Sequence, residues 1–398
     1  MRSSTAIVIG GGVVGLSTAY HLARKKFGRI ILIEKSTVGD GSSSRAAGII
    51  TGLLWGETGV LARKKSLAFY RELSHELEGY QFQDVGCLNI FDPDSWCERE
   101  KLLPLYDRLD IPFEIMDAAE MRRRWPALNP SEEWVGLFDP LGGYSEPDEY
   151  IPALTQKIKS LGVEVCESQT VTGFLVQNGR VTGVKTASGE IEGDAVVSTV
   201  HVWTPTMTEQ LGLRFPVKPF VHQRYVTKPL PGPVRIPAIN ANPLGGYIRP
   251  ASGNRLLAGA ETETREEYRV TSTNFHMSTL SAPSELKHEI TTNFVPFVPV
   301  LANTSWETER VGLIAFAMDG EPILGPVDKL PGFYIGIAFH SGGFAYNPVA
   351  GFLLAEFVAN GQTSIDVSEF SPDRFDPPEV ETHLDKTVPQ ADAIQRRH

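Results

Sequence analysis

Residues 6–20 read Ala-Ile-Val-Ile-Gly-Gly-Gly-Val-Val-Gly-Leu-Ser-Thr-Ala-Tyr, and this stretch decides the fold. An apolar β-branched run precedes Gly10 and helix-compatible spacing follows in residues 14–24, so the glycines fall in a strand-to-helix turn. Gly10 permits the tight turn, Gly12 lets the backbone approach an anion, and Gly15 lets the helix lie close on the strand. Because the amides of a first helical turn are unpaired, the stretch predicts a pyrophosphate site.

A second strand follows at the expected distance. Residues 29–35 read Arg-Ile-Ile-Leu-Ile-Glu-Lys, which indicates a buried parallel strand that ends in an acid. Glu34 lies nineteen residues after Gly15, where a carboxylate accepts hydrogen bonds from a ribose 2′-hydroxyl. The two features together predict an adenine dinucleotide with a free 2′-hydroxyl, which means FAD or NAD rather than NADP.

Composition excludes several classes of partner. The 398 residues include 37 basic and 48 acidic side chains, a net charge of −11, which argues against nucleic acid and anionic membranes as partners. No apolar run is long enough for a membrane span, and the first one is too short for a secretory signal. The 3 cysteines are widely spaced, which favours a reduced, cytoplasmic protein without a disulfide framework or a metal site.

The loop after Glu34 links the chain to a known family. It is rich in small residues and ends in Ala46-Ala47-Gly48. In this order, the glycine turn, the acid and the loop resemble the N-terminus of the glycine oxidase, sarcosine oxidase and dimethylglycine dehydrogenase group of D-amino-acid-oxidase-like FAD enzymes. The resemblance covers residues 5–371. It implies an α/β fold in which a Rossmann-like FAD-binding domain is interleaved with an α+β substrate domain built on a mostly antiparallel sheet.

The resemblance also implies domain boundaries and cofactor residues. We expect the FAD-binding domain in 1–50, 145–215 and 310–371, the substrate domain in 51–144 and 216–309, and a loosely ordered tail in 372–398. The residues implied to contact FAD are Gly10, Gly12, Gly15, Glu34, Lys35, Ser43, Ser44, Arg45, Ala46, Ala47, Gly48, Val171 (through its backbone), Gly342, Gly343 and Phe344. The last three open a helix whose N-terminus faces the pyrimidine end of the flavin in the family.

Two positions bear on how FAD is attached. Some relatives tether FAD through a histidine that matches Arg45 here, and others through a cysteine that matches Gly312. Neither nucleophile is present, so we expect noncovalent FAD.

The substrate residues are less well defined. Tyr247 matches the substrate-facing tyrosine of glycine oxidases, and Arg249 is expected on the same strand face of a predicted hairpin. His340 stands where the family's chain crosses the flavin, so these three are the candidate catalytic residues. Arg63 lies on a predicted amphipathic helix, either as a substrate arginine like that of sarcosine oxidases or on the surface. His201 replaces a family glycine, and we expect it to be structural.

Arginines that hold a substrate carboxylate in relatives are replaced by Ile314 and Ser341. Either another arginine substitutes or the substrate lacks that carboxylate. We therefore expect glycine, sarcosine and simple D-amino acids to be poor substrates, and a larger or less acidic amine to be preferred. Leu257 stands where sarcosine oxidases carry a lysine that aids the reaction with oxygen, so fast peroxide formation is not assured.

Three hypotheses about function follow. The leading one is an FAD-dependent oxidoreductase that oxidises a C–N bond of a secondary amine or amino acid by hydride transfer to the flavin, with oxygen as the acceptor. The partners that it implies are an amine or amino-acid-like substrate and oxygen or an electron carrier. The alternative is oxidation of a C–OH bond in a hydroxy acid or polyol, with electrons passed to a quinone or carrier. A non-enzymatic flavin- or NAD-binding protein is disfavoured because the substrate-domain sheet would be superfluous.

Overall fold

The computed structural model describes residues 4–260, 265 and 267–389. In chain order its strands are β1 (Thr5–Ile9), β2 (Arg29–Ile33), β3 (Ile49–Ile50), β4 (Cys87–Phe91), β5 (Glu114–Met116), β6 (Val135–Asp139), β7 (Gly143–Tyr144), β8 (Glu164–Cys166), β9 (Val171–Gln177), β10 (Arg180–Thr186), β11 (Gly189–Glu192), β12 (Ala195–Ser198), β13 (Val217–Thr227), β14 (Ala238–Ala241), β15 (Gly246–Ala251), β16 (Arg255–Ala260), β17 (Trp306–Ala317), β18 (Ile323–Pro326), β19 (Phe333–Ile337) and β20 (Phe339–His340). Its α-helices are α1 (Val13–Arg24), α2 (Glu57–Glu76), α3 (Pro93–Arg99), α4 (Leu103–Arg108), α5 (Ala118–Arg124), α6 (Pro147–Ser160), α7 (Thr204–Thr208), α8 (Glu285–Phe294), α9 (Gly343–Asn360) and α10 (Pro377–Asp385).

A six-stranded sheet has the order β18-β19-β12-β1-β2-β8. All its neighbours are parallel except β18, which runs antiparallel to β19. The apolar residues of β1 and β2 are buried, as expected where both faces of a parallel sheet are covered. The β1–turn–α1–β2 unit confirms the predicted Rossmann-like arrangement.

A nine-stranded sheet has the order β20-β17-β13-β16-β15-β14-β4-β6-β5 and is antiparallel except where β14 pairs with β4. The predicted hairpin is confirmed, since β15 and β16 pair from Gly246↔Ala260 to Ala251↔Arg255. The expected domain boundary at residue 310 cuts β17, which pairs along its length with β13 of this sheet.

Helix α9 packs in the interior against α1, α2 and β19. It is apolar on every side and most of its residues are buried, which is typical of a central helix. Pro348 lies inside this helix, so the Phe344 carbonyl has no amide partner four residues ahead. The Tyr70 hydroxyl of α2 donates to that carbonyl at 2.6 Å instead.

The C-terminal segment differs from the expected loosely ordered tail. Helix α10 forms within it, and Arg269 donates to the Leu384 carbonyl at 2.9 Å. Residues 390–398 of the predicted tail lie outside the described residues. Across the part of the chain that the structure describes, no helix combines the length and the apolarity that crossing a bilayer requires.

We predict that Gly351→Ala destabilises the fold. An added Cβ would lie 2.5 Å from the Thr18 backbone nitrogen, where α9 crosses α1. Overpacking against backbone costs about 1–3 kcal/mol. Urea unfolding of the apoprotein should show this loss, whereas Gly343→Ala on the same helix, whose Cβ comes no closer than 3.9 Å to another residue, should leave the midpoint nearly unchanged. Equal stability of the two variants would contradict the close crossing.

Candidate functional site

One cavity connects the two sheets. Gly12 and Glu34 line the end of the cavity beside the β1–α1 turn. Arg63, Tyr247 and His340 line its other end. Residues that are more than 300 positions apart in the sequence therefore face the same space. A concave site that gathers a few polar groups in this way is the default position for a ligand.

The β1–α1 turn forms a cradle without side chains. Gly10 has a φ of +105°, a conformation that side chains disfavour. A Cβ on Gly15 would collide with the Gly10 carbonyl oxygen, so α1 rests almost directly on the end of β1. The Ser43 hydroxyl accepts a hydrogen bond from the Val13 amide at 3.0 Å, which brings the following loop to the start of α1. The cradle fits the pyrophosphate of a dinucleotide.

Glu34 closes the cradle on the side of β2. Its carboxylate accepts hydrogen bonds from the amides of Gly11 at 2.7 Å and Ser36 at 2.9 Å. Burial raises the pKa of this carboxyl above its ordinary value, and the two amides partly oppose that shift. Each carboxylate oxygen keeps a further lone pair for a ribose hydroxyl.

The loop 43–48 lies between the two sheets. Four predicted cofactor residues of this loop line the cavity together with Ser43, namely Arg45, Ala46, Ala47 and Gly48. Ser44, the sixth predicted residue, does not line the cavity. Its carbonyl accepts hydrogen bonds from Arg224 and Arg310 on the nine-stranded sheet.

Arg45 and Gly312, the two positions at which relatives attach FAD covalently, adjoin one another. The Arg45 guanidinium donates to the Gly41 carbonyl at 2.8 Å. A Cβ on Gly312 would lie 2.9 Å from Arg45 Cδ. Both residues line the cavity.

The remaining predicted cofactor residues fall into three places. Lys35 lines the cavity, but its ammonium donates to the Thr273 carbonyl at 3.0 Å and lies 4.1 Å from the centre of the Trp203 ring. Val171 lines it where β9 begins. The residues Gly342, Gly343 and Phe344 line it at the N-terminus of α9.

His201 lines the cavity beside β17. Its φ of +48° is left-handed, which explains why relatives place a glycine here. The residue is half-buried with Nε2 3.4 Å from the Leu313 carbonyl, and its desolvation lowers the pKa of the imidazole to about 4. The imidazole is therefore neutral near pH 7.

Tyr247 and His222 form a pair at the end of the cavity away from the β1–α1 turn. The Tyr247 hydroxyl donates to the Gln223 carbonyl at 3.2 Å, and His222 Nε2 lies 3.2 Å from the same hydroxyl. His222 lines the cavity but was missed by sequence reasoning. The sequence feature that could have indicated His222 is the alternation of side chains between the two faces of β13. That alternation is informative only once the face of the strand that meets the cavity is known.

His340 also lies at this end. Its φ is +45° and its ring stacks on Phe316, with ring centres 6.3 Å apart. A left-handed histidine is strained and is held here by the short pairing of β20 with β17. Such strain is typical of functional positions.

Arg249 has the predicted strand position but not the predicted contact with the cavity. It shares the strand face of Tyr247 but does not line the cavity. The guanidinium is fully buried, pairs with Glu146 at 2.8 and 3.0 Å, and donates to the Ala47 carbonyl at 2.6 Å. The prediction that it contacts substrate is corrected: the buried carboxylate of Glu146 holds the side chain away from the cavity.

Arg63 lies in the cavity wall rather than on the surface. Its side chain is 1% exposed, and the guanidinium carbon is 4.1 Å from the centre of the Tyr346 ring. Nη1 donates to the Thr51 carbonyl at 3.3 Å, but Nε and Nη2 have no hydrogen-bond partner among the described residues. Burial lowers the pKa of this group, and a guanidinium nevertheless stays charged. The cavity wall thus contains a guanidinium that forms no ion pair with a carboxylate of the described residues.

The family follows from a direct match. A family model described as FAD dependent oxidoreductase (DAO) matches residues 5–357. The chain belongs to this FAD-dependent oxidoreductase family. FAD is therefore its cofactor, and the resemblance to the glycine oxidase and sarcosine oxidase group is confirmed.

Curated relatives and solved structures agree with this family. The chain is 25% identical to mouse mitochondrial sarcosine dehydrogenase, matching 94% of this chain but only 41% of that protein. It is 26% identical to the sarcosine oxidase subunit beta of Arthrobacter sp, matching 94% and 92%. Its fold is similar to L-proline dehydrogenase from P. horikoshii, with a TM-score of 0.86, 26% identity and coverage of 94% and 98%. It is also similar to glycine oxidase from Geobacillus kaustophilus, with a TM-score of 0.81, 22% identity and coverage of 94% and 100%.

We predict that FAD affinity falls as the pH falls through the pKa of Glu34. Only the carboxylate form accepts two ribose hydrogen bonds, and because its pKa is raised, protonation begins at a higher pH than for an ordinary glutamate. Loss of a charge-assisted bond costs about 1.5–3 kcal/mol. Fluorescence titration with FAD across pH should show the loss. Glu34→Gln should bind weakly at every pH, and an unchanged pH profile in that variant would exclude Glu34 as its source.

Proposed function

We propose that this protein oxidises the C–N bond of an amine that also carries a carboxylate, such as a secondary amino acid, with noncovalently bound FAD. Arg63 is the observation that carries the proposal. An unpaired buried cation costs several kcal/mol, on the order of the penalty for breaking a buried ion pair, unless a ligand anion compensates it. A planar guanidinium whose Nε and Nη2 have no hydrogen-bond partner among the described residues matches a carboxylate, which it would bind through two parallel hydrogen bonds.

This proposal revises an expectation from the sequence. Ile314 and Ser341 indicated a site without a carboxylate anchor, and the structure places both in the cavity lining. Arg63 supplies a cation to the same cavity from helix α2, so the alternative in which another arginine substitutes is favoured. Names of relatives support a secondary amino acid, since they include sarcosine dehydrogenase, sarcosine oxidase subunit beta and L-proline dehydrogenase.

We assign the residues of the cavity the following roles in binding and orienting the substrate. Arg63 holds the carboxylate, and the Tyr247 hydroxyl, oriented by the Gln223 carbonyl, offers a polar contact for the amine. His340 and Tyr346 close the cavity beside Arg63, with ring centres 5.8 Å apart, and limit the poses of the substrate. Bound FAD supplies the hydride acceptor. The amides at the start of α9 favour negative charge at that end of the cavity.

The electron acceptor is part of the proposal. Leu257 is 1% exposed and packs within the nine-stranded sheet, so the lysine that aids oxygen use in sarcosine oxidases has no counterpart at this position. We propose a carrier as the faster acceptor. Mixing the reduced protein with air-saturated buffer and, separately, with an artificial acceptor tests this, and faster reoxidation by oxygen would contradict it.

A substrate panel tests the reaction class. Under anaerobic conditions, sarcosine, L-proline and other N-alkyl amino acids should bleach the visible flavin band, whereas 2-hydroxy acids and polyols should not. Bleaching by hydroxy acids but by none of the amines would overturn the proposal in favour of C–OH oxidation. FAD content is measured in the same sample, so that loss of cofactor is not mistaken for lack of activity.

We predict that Arg63→Met weakens binding of carboxylate substrates by about 10- to 100-fold, since it removes charged hydrogen bonds worth about 1.5–3 kcal/mol. Rapid-mixing measurement of flavin reduction gives the apparent Kd. The decarboxylated amine that corresponds to each substrate is the matched control and should lose no affinity. Arg63→Met with an unchanged Kd for the carboxylate substrates would show that Arg63 is not the anchor.

We also predict that acid precipitation releases all FAD into the supernatant. Arg45 and Gly312 occupy the two positions at which relatives form the covalent bond, and neither side chain can form it. Absorbance of the supernatant against the washed pellet measures the partition. Yellow colour that stays with the pellet would demonstrate a tether elsewhere in the chain.

A further inference from the structure

Three arginines of the nine-stranded sheet donate hydrogen bonds to the backbone of the loop 43–48. Arg224 and Arg310 donate to the Ser44 carbonyl at 3.1 and 2.8 Å. Arg249 donates to the Ala47 carbonyl at 2.6 Å. These six residues of loop therefore receive three charge-assisted hydrogen bonds through their backbone, which are stronger than bonds between neutral groups.

Two of the three arginines, Arg249 and Arg310, are anchored in turn by the start of α6. Arg249 forms a two-bond ion pair with Glu146, and Arg310 forms one with Asp148 at 2.9 and 3.0 Å. The loop itself ends on the same helix start, because the Ser145 amide donates to the Gly48 carbonyl at 2.9 Å. Loop, sheet and helix α6 are thus joined at one place.

The register of the sheet relates these arginines to the substrate end. On β13, His222 and Arg224 pair with Gly312 and Arg310 of β17. The cavity residues and the arginines lie two positions apart on each strand, in the same direction, as His222 and Arg224, Tyr247 and Arg249, and Gly312 and Arg310. Residues two apart share a face and are separated by about 7 Å. One sheet face therefore carries both the cavity residues and the arginines, and on each of the three strands the arginine lies one step beyond the cavity residue in the same direction.

Burying these charged side chains costs desolvation free energy, so the arrangement indicates a functional reason for keeping them. Arg249 and Arg224 are 0% and 4% exposed. Burial, with the charges of Arg249 and Arg310, lowers the pKa of Arg224 to about 10. Burial acts to raise the pKa of Glu146, but the bonds and charge of Arg249 outweigh it and hold that pKa below its ordinary value. Apolar side chains would join the layers at lower cost.

We propose that Arg224, Arg249 and Arg310 are positioning residues that set the loop 43–48, and with it the cofactor, at a fixed distance from the substrate residues of the same strands. We call this group the arginine clamp. Its role is to transmit the position of Tyr247 and His222 to the loop through one rigid sheet. The arginine clamp deepens the proposed function. Of the measurements that test the clamp, only flavin reduction by substrate rests on the proposed function.

Two variants test the clamp in the FAD-loaded protein. Arg310→Met removes one bond to Ser44 from a side chain that is 38% exposed, so the fold should survive. Arg249→Met is combined with Glu146→Gln, so that no buried carboxylate is left unpaired. Each variant should raise the Kd for FAD about tenfold. Each should also shift the visible flavin spectrum and lower the limiting rate of flavin reduction more than it raises the KM for substrate.

The control is Arg29→Met. Arg29 forms an equally short two-bond pair with Glu164, at 2.7 and 2.8 Å, but it joins β2 to β8 at the surface and lies away from the loop. It should change none of these measurements. Folded clamp variants with unchanged Kd for FAD and an unchanged spectrum would overturn the proposal. Neither readout uses substrate, so failure of every amine to bleach the wild-type flavin would reject the proposed function alone.

Discussion

Direct backbone contact at the start of α1 is the constraint on which the site depends. The helix approaches β1 so closely that a side chain at Gly15 would enter the Gly10 carbonyl, and α9 crosses the same helix so closely that Gly351 has no room for one either. These two contacts place the N-termini of α1 and α9 at the same cavity. Two helix starts, each with unpaired amides, then favour negative charge in one enclosed space.

Buried arginines divide into two kinds in this structure. Arg249 finds a carboxylate and two backbone carbonyls within the protein, so its charge is satisfied before any ligand arrives. Arg63 finds one carbonyl and an aromatic ring. A desolvated charge that the protein leaves uncompensated is a binding group, whereas a compensated one is part of the frame. We therefore propose recognition for Arg63 and alignment for Arg249, although both are arginines.

The wall of the cavity is built from several elements, so different members of the family can supply a substrate-binding residue from different elements. The family match spans residues 5–357, yet the relatives named above differ from this chain at about three quarters of matched positions. The proposed anchor, Arg63, comes from α2 here, while β17 presents Ile314 and the loop before α9 presents Ser341. A cavity wall assembled from separate elements allows the anchor to come from any of them, provided that the cofactor loop keeps its place.

The amino-acid sequence by itself determined the β1–α1 turn, Glu34 at the end of β2 and the β15–β16 hairpin. Each is set by residues that are neighbours in the chain, where glycine conformation and short-range alternation act directly. The positions of Arg63, Arg249 and His222 relative to the cavity became known only from the folded structure. Arg249 is withdrawn by Glu146, which is 103 residues away in sequence, and Arg63 faces the cavity because α9 packs against α2. A side chain on an amphipathic helix or an alternating strand has a known face, but its chemistry depends on which distant partners that face meets.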